Sequence, residues 1–283
     1  MKHQIELLLI LALSVPACGD DSTSLDEDDG AASTGGTGAE PEPEPETTTT
    51  GDEPSEDAAA EDTAAASEGT GEPGLDCNDQ LIEDLALVEG SPSTGEVTNR
   101  ALDGGFVSTL DATAGGIAKA PQNPWLYLRF SPEGLEKVAV DDLQALESVD
   151  WDIAAKRFGL RLNGGVSGPS SVAVAALGDM AYEDVIALPD GAELRTESFY
   201  DDSCTLIDDG SGQGAPSYEL TPWWGYMGCV TTTGVPFVLE LADGSRVKLV
   251  VDSYYQTGQQ ECNETGAMGM GSANFSWRWA YLQ

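Results

Sequence analysis

The chain has 283 residues, with 50 Asp and Glu against 12 Lys and Arg, a formal net charge of −38, and one histidine. That balance argues against nucleic acid and anionic lipid surfaces as partners, because both need a basic footprint. Since the one histidine is His3, the usual general base and commonest zinc ligand are missing from the rest of the chain, which removes Ser-His-Asp and Cys-His catalysis.

In chain order, Lys2 precedes an apolar run from Ile5 to Leu13. At about nine residues it is too short to span a bilayer, which needs roughly 20, and it reads as a secretory signal. Val15, Pro16, Ala17 and Cys18 follow and resemble a bacterial lipobox, although Pro16 and the nearby charge of Glu6 depart from it. On that reading residues 1–17 are a lipoprotein signal peptide, Cys18 is lipidated, and attachment to a membrane is by lipid alone. An ordinary signal peptide with a nearby cysteine is the alternative. Between Gly19 and Gly74 there are 18 acidic residues and no Lys or Arg. Such a segment has too little apolar surface to offset the entropy of ordering, so 18–74 is expected to be a disordered acidic linker, a spacer rather than a binding tail.

The folded part is expected over 75–283, with 31 acidic and 11 basic residues. It holds Cys77, Cys204, Cys229 and Cys262. An even number in an exported chain points to two disulfides, and sequence does not choose among three pairings. The working choice is Cys204 with Cys229 and Cys77 with Cys262. A metal site is the competing reading, but there is no CxxC spacing and no nearby histidine.

Strand signals dominate this part. WLYLRF (125–130) runs into a turn at 131–134, and LEKVAV returns antiparallel. Leu143, Leu146 and Val149 stand at helical spacing, predicting a short helix before Trp151. In WDIAAKRFGLRLNGGVSG (151–168), Trp151, Ile153 and Ala155 alternate onto one face, and Phe158, Leu160 and Leu162 continue in the opposite phase. That phase change predicts a bulge near Lys156 and Arg157. Asn163, Gly164 and Gly165 close the strand. FVLEL (237–241) and RVKLVV (246–251) flank an Asp243-Gly244 hairpin, and the last segment puts Ala273, Phe275, Trp277, Trp279 and Tyr281 on one face. The fold class expected is all-β, mostly antiparallel, with one or two short helices.

WDIAAKRFGLRLNGGVSG, then LADGSRVKLVVDSYY, then FSWRWAYL together resemble the HmuY family of bacterial haem-binding lipoproteins, over about Trp125 to Gln283. The resemblance implies a single HmuY-like β-rich domain, a place in the bacterial cell envelope as a surface-exposed outer-membrane lipoprotein, and capture of haem for uptake. Members of that family hold the iron with histidines or methionines, and here histidine is excluded from the mature chain. The haem-binding candidates are therefore Met180, Met227 and Tyr226, with Trp223 and Trp224 as an aromatic wall. Met268, Met270, Tyr182, Tyr254 and Tyr255 are further donors, and Lys156, Arg157, Arg161 and Arg195 are candidates for the propionates. Core packing or loop exposure is the alternative for each methionine, and core packing for the tryptophans.

Asp201, Asp202, Asp208 and Asp209 surround Cys204 and suggest calcium, though without EF-hand spacing; a solvated loop is the alternative. There is no G-x-S-x-G, P-loop or dinucleotide fingerprint. The expectation is a non-enzymatic, lipid-anchored surface binding protein for haem or a related porphyrin. The alternative is a structural or adhesive module that keeps the fold without haem.

Overall fold

The computed structural model describes residues 77–283 except 114 and 213. The expected signal peptide, Cys18, the acidic linker and the start at Leu75 lie outside the described residues. A short helix α1 (Asn78–Asp84) is followed by β1 (Val97–Leu102), β2 (Gly105–Asp111), β3 (Leu126–Ser131) and β4 (Gly134–Lys137). Then come α2 (Asp142–Ala145), β5 (Ile153–Lys156), β6 (Gly159–Leu162), β7 (Ala173–Ala176), β8 (Trp224–Tyr226) and β9 (Val230–Thr232). The chain ends with β10 (Phe237–Glu240), β11 (Arg246–Thr257), α3 (Gln259–Thr265) and β12 (Met270–Tyr281). No described helix is long and apolar enough to cross a membrane.

The strands form a six-stranded sheet in the order β1-β2-β12-β11-β10-β7, a four-stranded sheet β4-β3-β5-β6, and a ribbon β8-β9. Neighbours pair antiparallel throughout. The expected all-β, mostly antiparallel class with a few short helices is what the chain adopts. The main core lies between the two larger sheets, where Leu126, Leu128, Ile153, Leu160 and Leu162 meet Leu110, Phe237, Leu249, Phe275, Trp277 and Trp279. Strand β12 shows why: alternation sends Ala273, Phe275, Trp277 and Trp279 inward, each 0% exposed. Full burial of a ring the size of Phe275 contributes about 3 kcal/mol. A second cluster on the outer face of the small sheet joins Leu81, Leu85, Trp125, Tyr127, Trp151, Phe199 and Tyr218.

Two turns and the short helix follow the sequence. Strands β3 and β4 reverse at Pro132-Glu133. Strands β10 and β11 pair Glu240 with Arg246 around Asp243-Gly244, where the Asp243 carboxylate accepts the Ser245 N–H at 2.8 Å. Helix α2 is held by a capping box between Asp141 and Gln144.

Three expectations are corrected. First, the phase change at Lys156 and Arg157 is a chain reversal. Lys156 pairs with Gly159, and Arg157-Phe158 is a two-residue hairpin turn with Arg157 at φ 52°. Reversal folds Ile153 opposite Leu162 and Ala155 opposite Leu160, so both apolar sets share one face without an inserted residue. Second, Trp151 precedes β5 and packs in the outer cluster, away from Ile153 and Ala155. Third, the disulfides join Cys77 to Cys204 and Cys229 to Cys262, not Cys204 to Cys229 and Cys77 to Cys262. Cys77 at the start of α1 packs with the outer cluster that also holds Tyr200 and Leu206, which places it beside Cys204. Cys262 in α3 lies over β9, where its sulfur is 3.2 Å from the Val230 carbonyl.

Candidate functional site

The haem-binding candidates separate into three places. Met180 is half-buried against Ala175, Leu177, Val185 and Val238. Trp223 and Trp224 are buried in the main core, and the Trp223 indole N–H donates to the Phe158 carbonyl at 3.2 Å. Tyr226 and Met227 stand exposed at the tip of the β8-β9 ribbon. No methionine lines the cleft of about 590 Å3 beside Gly165, Val166 and Gly168, nor that of about 510 Å3 around Tyr182, Lys248 and Arg278. Phenolate ligation is disfavoured too, since burial pushes Tyr182 and Tyr254 up to about 12, and burial raises Tyr200 in the first cleft.

The aspartates around Cys204 act locally. Asp201 accepts the N–H groups of Ser203 and Thr205, Asp208 that of Gly210, and Asp209 that of Ser211. These are turn-forming contacts. Among the described residues no group of three His, Cys, Asp or Glu is placed to hold a metal ion. The calcium cluster suggested by Asp201, Asp202, Asp208 and Asp209 is therefore not assembled.

The structure does assemble a polar centre behind the β5-β6 hairpin. Pairing Ala154 with Arg161 turns Arg161 away from the main core and into the outer cluster, where it is 0% exposed. Its guanidinium carbon lies 5.0 Å from the Trp125 ring centre, 5.4 Å from Tyr127 and 5.0 Å from Trp151. Arg161 donates to the Ser167 carbonyl at 2.8 Å and to the Tyr127 hydroxyl at 2.6 Å. Tyr127 in turn donates to Asp142 at 3.0 Å, and Asp142 also accepts the N–H groups of Val88 and Trp125. Asn163 ties the loops together, donating to the carbonyls of Ser148 and Trp151 and accepting from Ser170. Gly164 is required there, because a Cβ would stand 2.3 Å from the Val172 carbonyl oxygen.

Beside this centre the hairpin turn opens a slot of about 150 Å3, lined by Trp125, Phe158 and Tyr218, by Leu85, Ala86 and Pro121, and by the charged Asp84, Lys156 and Arg157. The Lys156 ammonium donates to the Ala86 carbonyl at 2.9 Å. Burial lowers its pKa to about 8, so it is charged at neutral pH and easily discharged above it. Arg157 lies 5.1 Å from the Phe158 ring centre, and that ring packs 4.8 Å from Trp224. Arg129, Arg195, Arg246 and Arg278 are all ion-paired, whereas among the described residues no ion pair involves Lys156 or Arg157. Two unpaired cations against aromatic walls suit a carboxylate on a flat apolar body. Lys156 and Arg157 were legible as propionate candidates. Trp125, Phe158 and Tyr218 converge from separate segments, and no local pattern announced them.

No family model matches the chain, and no curated protein matches it. Among solved structures it is similar to a protein from Bacteroides fragilis described as a lipoprotein, at 14% identity and TM-score 0.40, covering 65% of this chain and 94% of that one. It is also similar to a protein from Bacteroides vulgatus described as HmuY-like and haem-binding, at 17% identity and TM-score 0.39, covering 68% and 93%. A third is an apo HmuY analog from Tannerella forsythia, at 15% identity and TM-score 0.34, covering 69% and 98%.

Proposed function

We propose that the chain is a non-catalytic binding protein of the bacterial cell envelope, tethered by lipid at Cys18 and displayed at the outer-membrane surface, that takes haem or a related porphyrin without iron ligation. The observation that carries the ligand is the pair Lys156 and Arg157, unpaired among the described residues and facing an aromatic slot in a strongly acidic chain. The slot's 150 Å3 admits one carboxylate-bearing arm, while the macrocycle stays outside it. None of the methionine and tyrosine donors lines the slot, so nothing in this reading depends on the metal.

Titration of the full mature chain with ferric haem and with metal-free protoporphyrin IX tests this. Comparable saturable binding of both is expected, weakened at least about tenfold by Lys156→Met with Arg157→Gln, because each charge-assisted contact is worth about 1.5–3 kcal/mol. Binding should also weaken as pH rises through about 8, where Lys156 loses its charge. Haem binding that vanishes when iron is removed would sink the unligated mode, and no saturable binding of either would leave the structural or adhesive surface module. The anchor is tested separately: Cys18→Ala should move the chain from the membrane to the soluble fraction, and unchanged membrane association would refute the lipid tether.

A further inference from the structure

Three methionines that take no part in the slot share one end of the molecule. Met227, Met268 and Met270 are 58%, 68% and 73% exposed, although methionine is ordinarily a core residue. Met227 sits in the turn between β8 and β9, and that turn rests on the end of α3. A Cβ on Gly266 would stand 2.5 Å from the Met227 carbonyl oxygen, and one on Gly228 would stand 3.2 Å from the Gly266 carbonyl oxygen. The Cys229–Cys262 disulfide fixes this docking. Two residues after Gly266 comes Met268, and Met270 opens β12 opposite Thr257. Between them Gly269 is pressed against the Tyr255 ring, so the segment carrying both methionines is held in place.

Each thioether sulfur lies about 4 Å from its Cα on two rotatable bonds, a reach that lets side chains on touching backbones meet at one point. We propose that Met227, Met268 and Met270 form a trigonal thioether site for a soft monovalent cation, Cu(I) or Ag(I). Thioethers select such ions over hard ones. The neighbouring cysteines are joined and offer no thiolate in competition. Exposed Glu261 and Glu264 on α3 add negative charge near the tip, which favours a cation over an anion.

The test is a titration of the full chain, labelled with 13C at the methionine methyls, with Ag(I), followed by Cu(I) in competition with a chromogenic chelator. Signals are assigned by single Met→Leu substitutions, which keep volume and remove only sulfur. The expected result is saturation at one equivalent, with the Met227, Met268 and Met270 methyls shifting together and Met180 still. Met268→Leu or Met270→Leu should lower Cu(I) affinity at least about tenfold, since a two-sulfur site holds the ion less well. Affinity unchanged in both variants, shifts that include Met180, or no stoichiometric complex would each overturn the site. Met180→Leu, away from the tip, should leave the affinity as it was.

Discussion

The two faces of the β5-β6 hairpin are both fully buried and are stabilised by different physics. On the inner face Ile153, Ala155, Leu160 and Leu162 are each at most 1% exposed and lie within the main apolar cluster. That face is held by area removed from water, a term that is additive and insensitive to orientation. On the outer face, one residue out of phase, Arg161 is buried as completely, and burying a guanidinium costs several kcal/mol. Three aromatic rings, Ser167, Tyr127 and, through Tyr127, Asp142 offset that cost, and only while all are in place. The inner face therefore specifies that the hairpin is buried. The outer face specifies which loops close over it and so where the Lys156–Arg157 slot opens.

Truncation should separate the two. Arg161→Ala is expected to cost about 3–5 kcal/mol, because it removes the only cation of the network and leaves a cavity among Trp125, Tyr127 and Trp151. Leu162→Ala is expected to cost about 3 kcal/mol by loss of transfer energy and packing alone. The informative variant is Arg161→Met, which keeps length and removes charge. Asp142 retains the Val88 and Trp125 N–H groups as well as Tyr127, so the methionine should recover more than half of the alanine loss. Urea unfolding of the three variants decides it. If Arg161→Met is as damaging as Arg161→Ala, the charge itself holds the outer face; if both are mild, area removed from water holds both faces alike.

The inner face was legible in the sequence and the outer one was not, for a reason visible in the same residues. Alternation and turn chemistry are local signals: the first gave β12, the second the Asp243-Gly244 reversal and the β3-β4 turn. The same signal in 151–168 was right about which residues are buried and wrong about how, because a bulge and a two-residue hairpin both invert the phase. Arg157, which carries no turn preference by composition, sits at positive φ there. Arg161 stood among the propionate candidates, and it is buried instead. Its partners Tyr127, Asp142 and Trp151 come from three other segments, and only the fold brings them together. The disulfides failed for the same reason, since Cys77 and Cys204 are 127 residues apart in sequence. The slot was half legible: its two cations are adjacent in the chain, and its aromatic walls are not.

The last expected effect is on pH dependence, and it again distinguishes the faces. Glu197 lies at the polar end of the hairpin, accepting the Leu162 N–H at 2.9 Å and the Glu219 N–H at 3.0 Å. Burial nevertheless raises its pKa from 4.5 to about 8, against those donors and Arg161. Asp152, just before β5, is raised by burial from 3.8 to about 6 while accepting the Phe130 N–H. For both groups the folded state holds a proton that the unfolded state releases, so their contribution to stability is complete below the unfolded pKa and is lost as pH rises through the folded one. Thermal stability should therefore fall between about pH 4.5 and 6, where both groups act, and fall less steeply to about pH 8, where Glu197 acts alone. Glu197→Gln should flatten the upper segment and leave the lower one sloping, whatever its cost at any single pH. The apolar face carries no titrating group, so Leu162→Ala should lower the whole curve without changing its shape. A Glu197→Gln profile parallel to that of the parent would mean that Glu197 is ionised in the folded state at neutral pH, and the outer face would then hold two compensated charges rather than one.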